Sequence, residues 1–380
     1  DYWVISPGVP SDKDIIKKAK KINIPIIGEI EFASKFTELP IIAVTGSNGK
    51  STTVNIMHDM LKTEDLRPLL AGNIGIPLSK IILEEIKNPA IGNVLILEVS
   101  SFQLEFINQF RPTISVFLNI SPDHLDRHKT MDEYIKIKLK MITNSKHSDK
   151  IVYNEDDKTF REEFSGNRPN EIPFSIKNKT QFFSVNNTKI YGEKNEIFCS
   201  LDEIFIKGKH NLSNLIAAAT VAKILKVDNH TIKNTMRSFK GIDHRLQTIR
   251  KLNGVTYIND SKATNIQSVI VAIISFDNPI ILILGGKNKN SDFRLLLPHT
   301  KRHVKHIVSY GEAGGEIATA IGDAVRLNRV SSLSQAVASA HKLATPGDII
   351  LMSPGCASFD QFDNFEERGN KFANLVKKLK

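Results

Sequence analysis

Short apolar runs alternate along this chain with stretches of helical periodicity, a pattern that predicts parallel α/β units. Val4-Ile5 runs into Ser6-Pro7-Gly8, a Lys-rich helical stretch follows, and Ile24-Pro25-Ile26-Ile27 comes next. Ile41-Ile42-Ala43-Val44 reads as a buried strand feeding directly into a Gly-rich loop. Val94-Leu95-Ile96-Leu97-Glu98 and Ile114-Ser115-Val116-Phe117-Leu118 are two more such strands. Residues 172–206 have a different texture. Polar and apolar positions alternate there, with turn signals at Asn186-Asn187 and Gly192, so the stretch reads as an antiparallel meander. A helix carrying Ala217, Ala218, Ala219 and Ala222 follows, and Phe239-Lys240-Gly241 marks a linker. Beyond it, residues 280–284, 306–308 and 349–352 read as strands ending near Gly or Ser-Pro-Gly. They predict a second α/β sheet whose loops gather at the strand ends, where such sheets bind ligands.

A chain of 380 residues exceeds one ordinary core and points to two or three domains. Hydrophobic residues make up 41% and charged residues 24%, the balance of a globular protein. No apolar run approaches the roughly 18–20 residues needed to cross a bilayer. The opening Asp1-Tyr2-Trp3 shows no basic leader region. Cys199 and Cys356 are too few for a disulfide framework and suit a reducing compartment, so a cytoplasmic location is expected. The net charge of +10 invites a nucleic-acid reading. Against it, the lysines are scattered among Ile and Asn, and no aromatic residues interleave with a basic block. Because the first residue is not Met and lies inside a predicted strand, the chain is expected to be a fragment.

Thr45-Gly46-Ser47-Asn48-Gly49-Lys50-Ser51-Thr52 follows a strand and precedes a helical pattern. Its glycines let backbone N–H groups wrap an anion, to which a helix N-terminus adds partial positive charge. Lys50 would reach the terminal phosphates, and the Ser51 or Thr52 hydroxyl would meet Mg²⁺. Val44 stands where the general phosphate-loop pattern has its first glycine. Glu98 closes an apolar strand, a place suited to a metal ligand or simply to a surface acid. The next strand ends in Asn119-Ile120-Ser121-Pro122-Asp123-His124-Leu125-Asp126-Arg127-His128, a second polar cluster on the same sheet edge. Thr130 and Glu133 form a capping-box pattern, so a helix starts there. Met131, Ile135, Leu139 and Ile142 fall on one face of it, with Lys138 on or beside that stripe and Lys136 and Lys140 pointing away. Two readings of Lys138 stand together. It is a lysine whose stem covers apolar surface, or a buried amine that loses its proton and takes up carbon dioxide as a metal-binding carbamate.

Together these motifs resemble the Mur ligases. Further matches are Gly208-Lys209-His210-Asn211-Leu212-Ser213-Asn214, Asp243-His244-Arg245 and Asn259-Asp260-Ser261-Lys262-Ala263-Thr264-Asn265. The most specific stretch is Ser353-Pro354-Gly355-Cys356-Ala357-Ser358-Phe359-Asp360-Gln361-Phe362, followed by Asn364-Phe365-Glu366-Glu367-Arg368-Gly369. Within the family that ending is similar to the D-glutamate-adding branch. The resemblance implies a central P-loop ATPase-like parallel-sheet domain at 39–241 carrying a small antiparallel meander. It also implies a C-terminal Rossmann-like α/β domain at 242–380 and a partial N-terminal α/β domain at 1–38, the remnant of a uridine-nucleotide-binding domain.

The resemblance also implies roles. Gly46, Ser47, Asn48, Gly49, Lys50, Ser51 and Thr52 would bind ATP, with Lys50 on the β- and γ-phosphates. Ser51 and Glu98 would serve one Mg²⁺, and His124 with a carbamylated Lys138 a second. Asn211 and Asn214 would contact the adenine side, and Arg245 and Asp260 would bind nucleotide from the third domain. Asn73 would touch the muramoyl substrate, while Lys262, Thr264, Lys289, Ser358 and Phe365 would hold D-glutamate. The expected partners are UDP-N-acetylmuramoyl-L-alanine and D-glutamate, handled by a monomer with neither nucleic acid nor membrane involved. Lys287 stands where some relatives carry an acid, and it is left without a role. Rivals are another ligase of the family, such as a folylpolyglutamate synthase or the diamino-acid-adding member, and a P-loop module without ligase chemistry. The Asp-Asn-Pro-Arg signature of the diamino-acid branch is absent from the sequence, and a plain nucleotide module has no use for Lys138, His124 and the Asp260-Ser261-Lys262 cluster together.

Overall fold

The structure, a computed structural model, describes residues 2–9, 13–73, 76–122, 125–164, 169–206, 208–288 and 291–380. The chain divides into two compact units, Asp1–Lys240 and Gly241–Lys380.

The first unit contains eleven of the strands among the described residues. They are β1 (Trp3–Ile5), β2 (Ile26–Gly28), β3 (Ile41–Thr45), β4 (Pro68–Gly72), β5 (Val94–Glu98), β6 (Ile114–Phe117), β7 (Lys150–Asn154), β8 (Glu171–Phe174), β9 (Ser184–Val185), β10 (Lys189–Tyr191) and β11 (Ile197–Ser200). Six of them form one sheet in the order β4-β5-β3-β6-β7-β8, parallel throughout. Every residue of β3 and β5 is buried, as expected of a parallel sheet covered on both faces, and this is why those strands read as unbroken apolar runs. The chain leaves β3 toward the β4 side and leaves β6 toward the β7 side, so the order reverses between these neighbours. A crevice opens there at the carboxyl ends of the strands. Helix Lys50–Leu61 packs against helix Lys209–Ile224, whose Ala217, Ala218, Ala219 and Ala222 are fully buried. Small side chains let the two helices approach closely.

The meander is shorter than the alternation predicts. Its three antiparallel strands run in the order β11-β10-β9, while Glu171–Phe174 joins the parallel sheet as the edge strand β8. Pro173 lacks a donor and is tolerated at an edge, and that edge position gave β8 its mixed texture. β1 and β2 pair in parallel, Trp3 opposite Ile26. Next to them Glu31 is buried, and its carboxylate accepts backbone N–H bonds from Asn108 at 3.0 Å, Gln109 at 3.0 Å and Phe110 at 2.8 Å. Helix Glu29–Ala33 is thereby fastened to the turn that precedes β6.

The second unit holds β12 (Gln247–Leu252), β13 (Val255–Asn259), β14 (Ile280–Gly285), β15 (Val304–Tyr310), β16 (Leu327–Arg329) and β17 (Ile349–Met352), in the order β12-β13-β17-β14-β15-β16. β12 and β13 form an antiparallel hairpin, and the remaining pairs are parallel. Leu282 and Leu284 of β14 enter one core and Ile281 and Ile283 the other, so helices cover both faces. The segments after β13, β14, β15 and β17 lie at one carboxyl edge.

Candidate active site

At the end of β3 the chain turns through Gly46 to Gly49 into helix Lys50–Leu61. Gly49 has φ 87°, and a Cβ there would overlap Asn214 Oδ1. No side chain fits, and the backbone adopts a left-handed conformation that favours glycine. Asn214 therefore packs on the loop itself, with Asn211 half-buried one turn earlier on the same helix. The loop is laced to the segment after β6. Ser47 N donates to Asn119 O at 2.8 Å, Asn48 N to Asn119 Oδ1 at 2.9 Å, and Ser47 Oγ to Ser121 O at 2.9 Å. Lys50 Nζ folds back to Gly46 O at 2.7 Å and Ser47 O at 2.8 Å.

Glu98 ends β5 beside Val44 of β3 and is 3% exposed. Its Oε1 accepts from Asn73 Nδ2 at 2.9 Å. Its Oε2 is buried with no hydrogen-bond partner among the described residues. A buried carboxylate oxygen without a donor is costly unless a cation answers it. Asn73 is exposed at the crevice, and Gly72 before it, at φ 108°, lies so close that a Cβ would overlap Glu98 O.

Lys138 is 1% exposed. Its Nζ donates to Gly46 O at 3.0 Å and to Thr45 Oγ1 at 3.4 Å, and it sits 4.6 Å from the centre of the Tyr134 ring. The amine does not reach for solvent, so the snorkelling reading gives way. The periodicity reading also needs correction. Leu139 and Ile142 pack against the apolar core as expected, but all four of Met131, Ile135, Leu139 and Ile142 are only half-buried, and the fully buried residues of helix Met131–Leu139 are Tyr134 and Lys138. Polar groups are buried there because the loop supplies their partners: Tyr134 OH lies 3.1 Å from Ser47 Oγ. Nor does Lys140 point away, since its Nζ donates to Glu105 O at 3.0 Å. The helix does start at Thr130, whose side chain accepts from Glu133 N at 3.2 Å.

His124 and Asp123 lie outside the described residues. Arg127 and His128 of the same motif are inside them. Arg127 forms two 2.7 Å bonds to Glu105 and donates to Pro7 O and Val9 O at 3.0 Å each. His128 is buried with Nε2 2.9 Å from Ser101 Oγ. Among the described residues no three His, Cys, Asp or Glu side chains gather as a metal cluster. Mg²⁺ needs no such cluster, because it typically takes one or two carboxylates and fills its shell with phosphate and water. The buried Ser51 hydroxyl and the unanswered Glu98 oxygen fit that demand. Sequence reasoning missed Tyr134, and it placed Asn119 in the polar cluster without giving it a role. The signal for Tyr134 was its place four residues before Lys138, on the same helical face.

In the second unit Asp260 follows β13 and is buried. Its Oδ2 accepts from Ser353 Oγ at 2.7 Å and its Oδ1 from Leu246 N at 3.2 Å. Burial pushes its carboxyl up to about 7, against the opposing pull of the Ser353 hydroxyl and the Arg245 charge. Arg245, half-buried, lies in the turn before β12. His244 Nδ1 lies 3.0 Å from Asn259 Nδ2, which donates to it, and burial holds the imidazole below its usual range. Lys262 Nζ sits 5.6 Å from the centre of the Phe365 ring. Thr264 is half-buried two residues on, and Ser358 is buried on the segment after β17. Lys289 lies outside the described residues. Arg368, given no role from the sequence, is 0% exposed and holds these segments together. It donates to Ser261 Oγ at 3.0 Å, Ser261 O at 2.8 Å and Cys356 O at 3.1 Å. Cys356 is buried and its thiol is pushed up to about 12. Cys199, in the first unit, is buried and pushed up to about 11.

Residues 44–222 match the Mur ligase middle domain, and residues 244–356 match the Mur ligase glutamate ligase domain. The chain is 41% identical over 390 residues to the UDP-N-acetylmuramoylalanine–D-glutamate ligase of Pelotomaculum thermopropionicum, covering 100% of this chain and 84% of that protein. It is 38% identical over 392 residues to the ligase of the same name from Clostridioides difficile, covering 100% and 85%. Among solved structures it is similar in fold to a MurF ligase of Thermotoga maritima in complex with ADP. That match has a TM-score of 0.68 at 17% identity and covers 100% of this chain and 96% of the other. A UDP-N-acetylmuramate–alanine ligase from the same organism matches with a TM-score of 0.65 at 16% identity, covering 99% and 85%. With both halves matched and relatives this similar along its whole length, the chain belongs to the Mur ligase family.

Proposed function

We propose that this protein joins D-glutamate to UDP-N-acetylmuramoyl-L-alanine with ATP, a cytoplasmic step of peptidoglycan synthesis. The layout taken for it is 1–38, 39–241 and 242–380. The observation that carries the reading is Lys138 Nζ, buried on the Gly46 carbonyl of the phosphate loop. A loop that only bound nucleotide would have no use for a second, buried lysine. The names borne by the relatives support the choice of acceptor and donor.

The substrate carboxylate attacks the γ-phosphorus of ATP, the bond to ADP breaks, and an acyl phosphate forms. The amine of D-glutamate then attacks that carbonyl and loses a proton, and phosphate leaves from the tetrahedral intermediate. A carboxylate and a triphosphate repel each other, so the physical demand is positive charge. Lys50 supplies it beside the loop. Ser51, Glu98, His124 and Lys138, the last as a carbamate, would hold Mg²⁺, which when bound neutralises the phosphoryl oxygens. Backbone N–H groups at the start of helix Lys50–Leu61 orient the phosphates. Asn73 holds Glu98 in place and faces the muramoyl substrate. Asn211, Asn214, Arg245 and Asp260 bind the nucleotide, while Lys262, Thr264, Lys289, Ser358 and Phe365 hold D-glutamate.

Phosphate release measured with each component omitted in turn tests the proposal. Release should require ATP, the muramoyl substrate and D-glutamate together. Equal release with either of the latter omitted would refute it.

A further inference from the structure

We infer that Arg368 is the positioning residue through which the second unit selects an acidic amino acid. The inference deepens the D-glutamate reading above and rests on it. Arg368 lies about one turn into helix Phe365–Lys377, three residues after Phe365. Its guanidinium is fully buried and, among the described residues, donates to neutral acceptors: the Ser261 hydroxyl, the Ser261 carbonyl and the Cys356 carbonyl. Ser261 Oγ in turn donates to Phe365 O at 2.7 Å. One side chain thus ties together three segments that carry candidate amino-acid contacts: Lys262 beside Ser261, Ser358 two residues beyond Cys356, and Phe365.

The charge is as telling as the bonds. Among the described residues no carboxylate pairs with this guanidinium. Asp360 is an acid of the same region, but its Oδ2 accepts from Glu312 N at 3.1 Å and its Oδ1 has no hydrogen-bond partner. Tyr310, whose hydroxyl is also buried, stays neutral because burial pushes it up to about 12. A buried cation without an ion-pair partner is expensive for a fold. The expense is offset if a ligand brings the missing negative charge. In a low-dielectric interior its field acts over a longer range than that of a solvated lysine, so it favours a dicarboxylate acceptor over a neutral one without touching it.

The test compares wild type, Arg368→Lys and Arg368→Gln with two acceptors, D-glutamate and its neutral isostere D-glutamine. Thermal unfolding checks that each variant folds. Arg368→Lys keeps the charge and loses the fork of bonds. It should keep the ratio of kcat/KM for the two acceptors within about threefold of wild type, even if both values fall. Arg368→Gln should lower that ratio by about tenfold or more, through KM for D-glutamate, with KM for ATP unchanged within about twofold. A folded Arg368→Lys that loses the preference, or an Arg368→Gln that keeps it, makes the residue a scaffold only and overturns the inference. If Arg368→Gln does not fold, the lysine variant decides alone. If wild type itself uses neither acceptor, the D-glutamate reading fails first and the inference falls with it, a result distinct from a change confined to the variants.

Discussion

Lys50 and Lys138, eighty-eight positions apart in sequence, aim their side-chain nitrogens at the same oxygen, the Gly46 carbonyl, at 2.7 and 3.0 Å. A single backbone oxygen thus gathers two lysines at the mouth of the phosphate loop. The two are not interchangeable. Lys50 is half-buried and lies in the loop that meets phosphate, whereas Lys138 comes up from beneath, against Tyr134 and Thr45. Lys138→Ala should cut ligation by about a hundredfold or more while leaving ATP affinity within about fivefold. A short carboxylate added to the buffer should restore part of the activity. Full activity in the variant would remove Lys138 from the metal site.

Gly49→Ala places a side chain where φ is 87° and where Asn214 Oδ1 already sits. The backbone strain alone costs about 1 kcal/mol, and the overlap adds to it. Asn214→Ala in the same chain should relieve the overlap but not the strain, so the double variant should be more stable than the additive sum of the two single ones. Urea unfolding of all four proteins reads the coupling, and strict additivity would count against the contact.

Glu31→Gln keeps the shape of the side chain and removes its charge. Three successive backbone N–H groups, from Asn108 to Phe110, lose an anionic acceptor. Hydrogen bonds to a charged group contribute about 1.5–3 kcal/mol each, against about 1 for neutral ones. A loss of about 2 kcal/mol is expected, visible as a lower urea midpoint. An unchanged midpoint would show that the amide serves as well.

Asp260 makes stability depend on pH with a definite sign. Its folded pKa, about 7, lies above the ordinary carboxyl value of 3.8. Between these values the folded chain binds more protons than the unfolded one, so stability from this group falls as pH rises from 4 to 7 and then levels off. About three pH units correspond to a cost of about 4 kcal/mol. Asp260→Asn still accepts from Leu246 N through its amide oxygen, reverses the bond to Ser353 Oγ, and carries no such cost. Its melting temperature should therefore gain on that of wild type as pH rises from 5 to 8. A constant difference across that range would contradict the buried-acid account.

Much of the first sheet was legible because β3, β5 and β6 are buried on both faces and advertise themselves as apolar runs. The edge strand Glu171–Phe174 was not, since Glu171 and Pro173 interrupt its apolar pattern, and an edge tolerates both. β12 was missed for the same reason, being a half-exposed strand rich in Gln, Thr, Arg and Lys. The phosphate loop was readable because its glycines answer to backbone geometry, which is local. Lys138 was placed near the right face by periodicity but for the wrong neighbours. The helix buries Tyr134 and Lys138 against a loop ninety residues away, and no window of local pattern contains that partner. Arg368 stood in the quoted ending without a role for a related reason: its acceptors are mostly backbone carbonyls, which every residue has.

The two thiols carry a practical consequence. Both are shielded, and with values of about 11 and about 12 less than about one molecule in a thousand presents a thiolate near neutral pH. Maleimide dyes should therefore ignore the native chain. A single cysteine introduced on the surface of either unit would then take up dye without background.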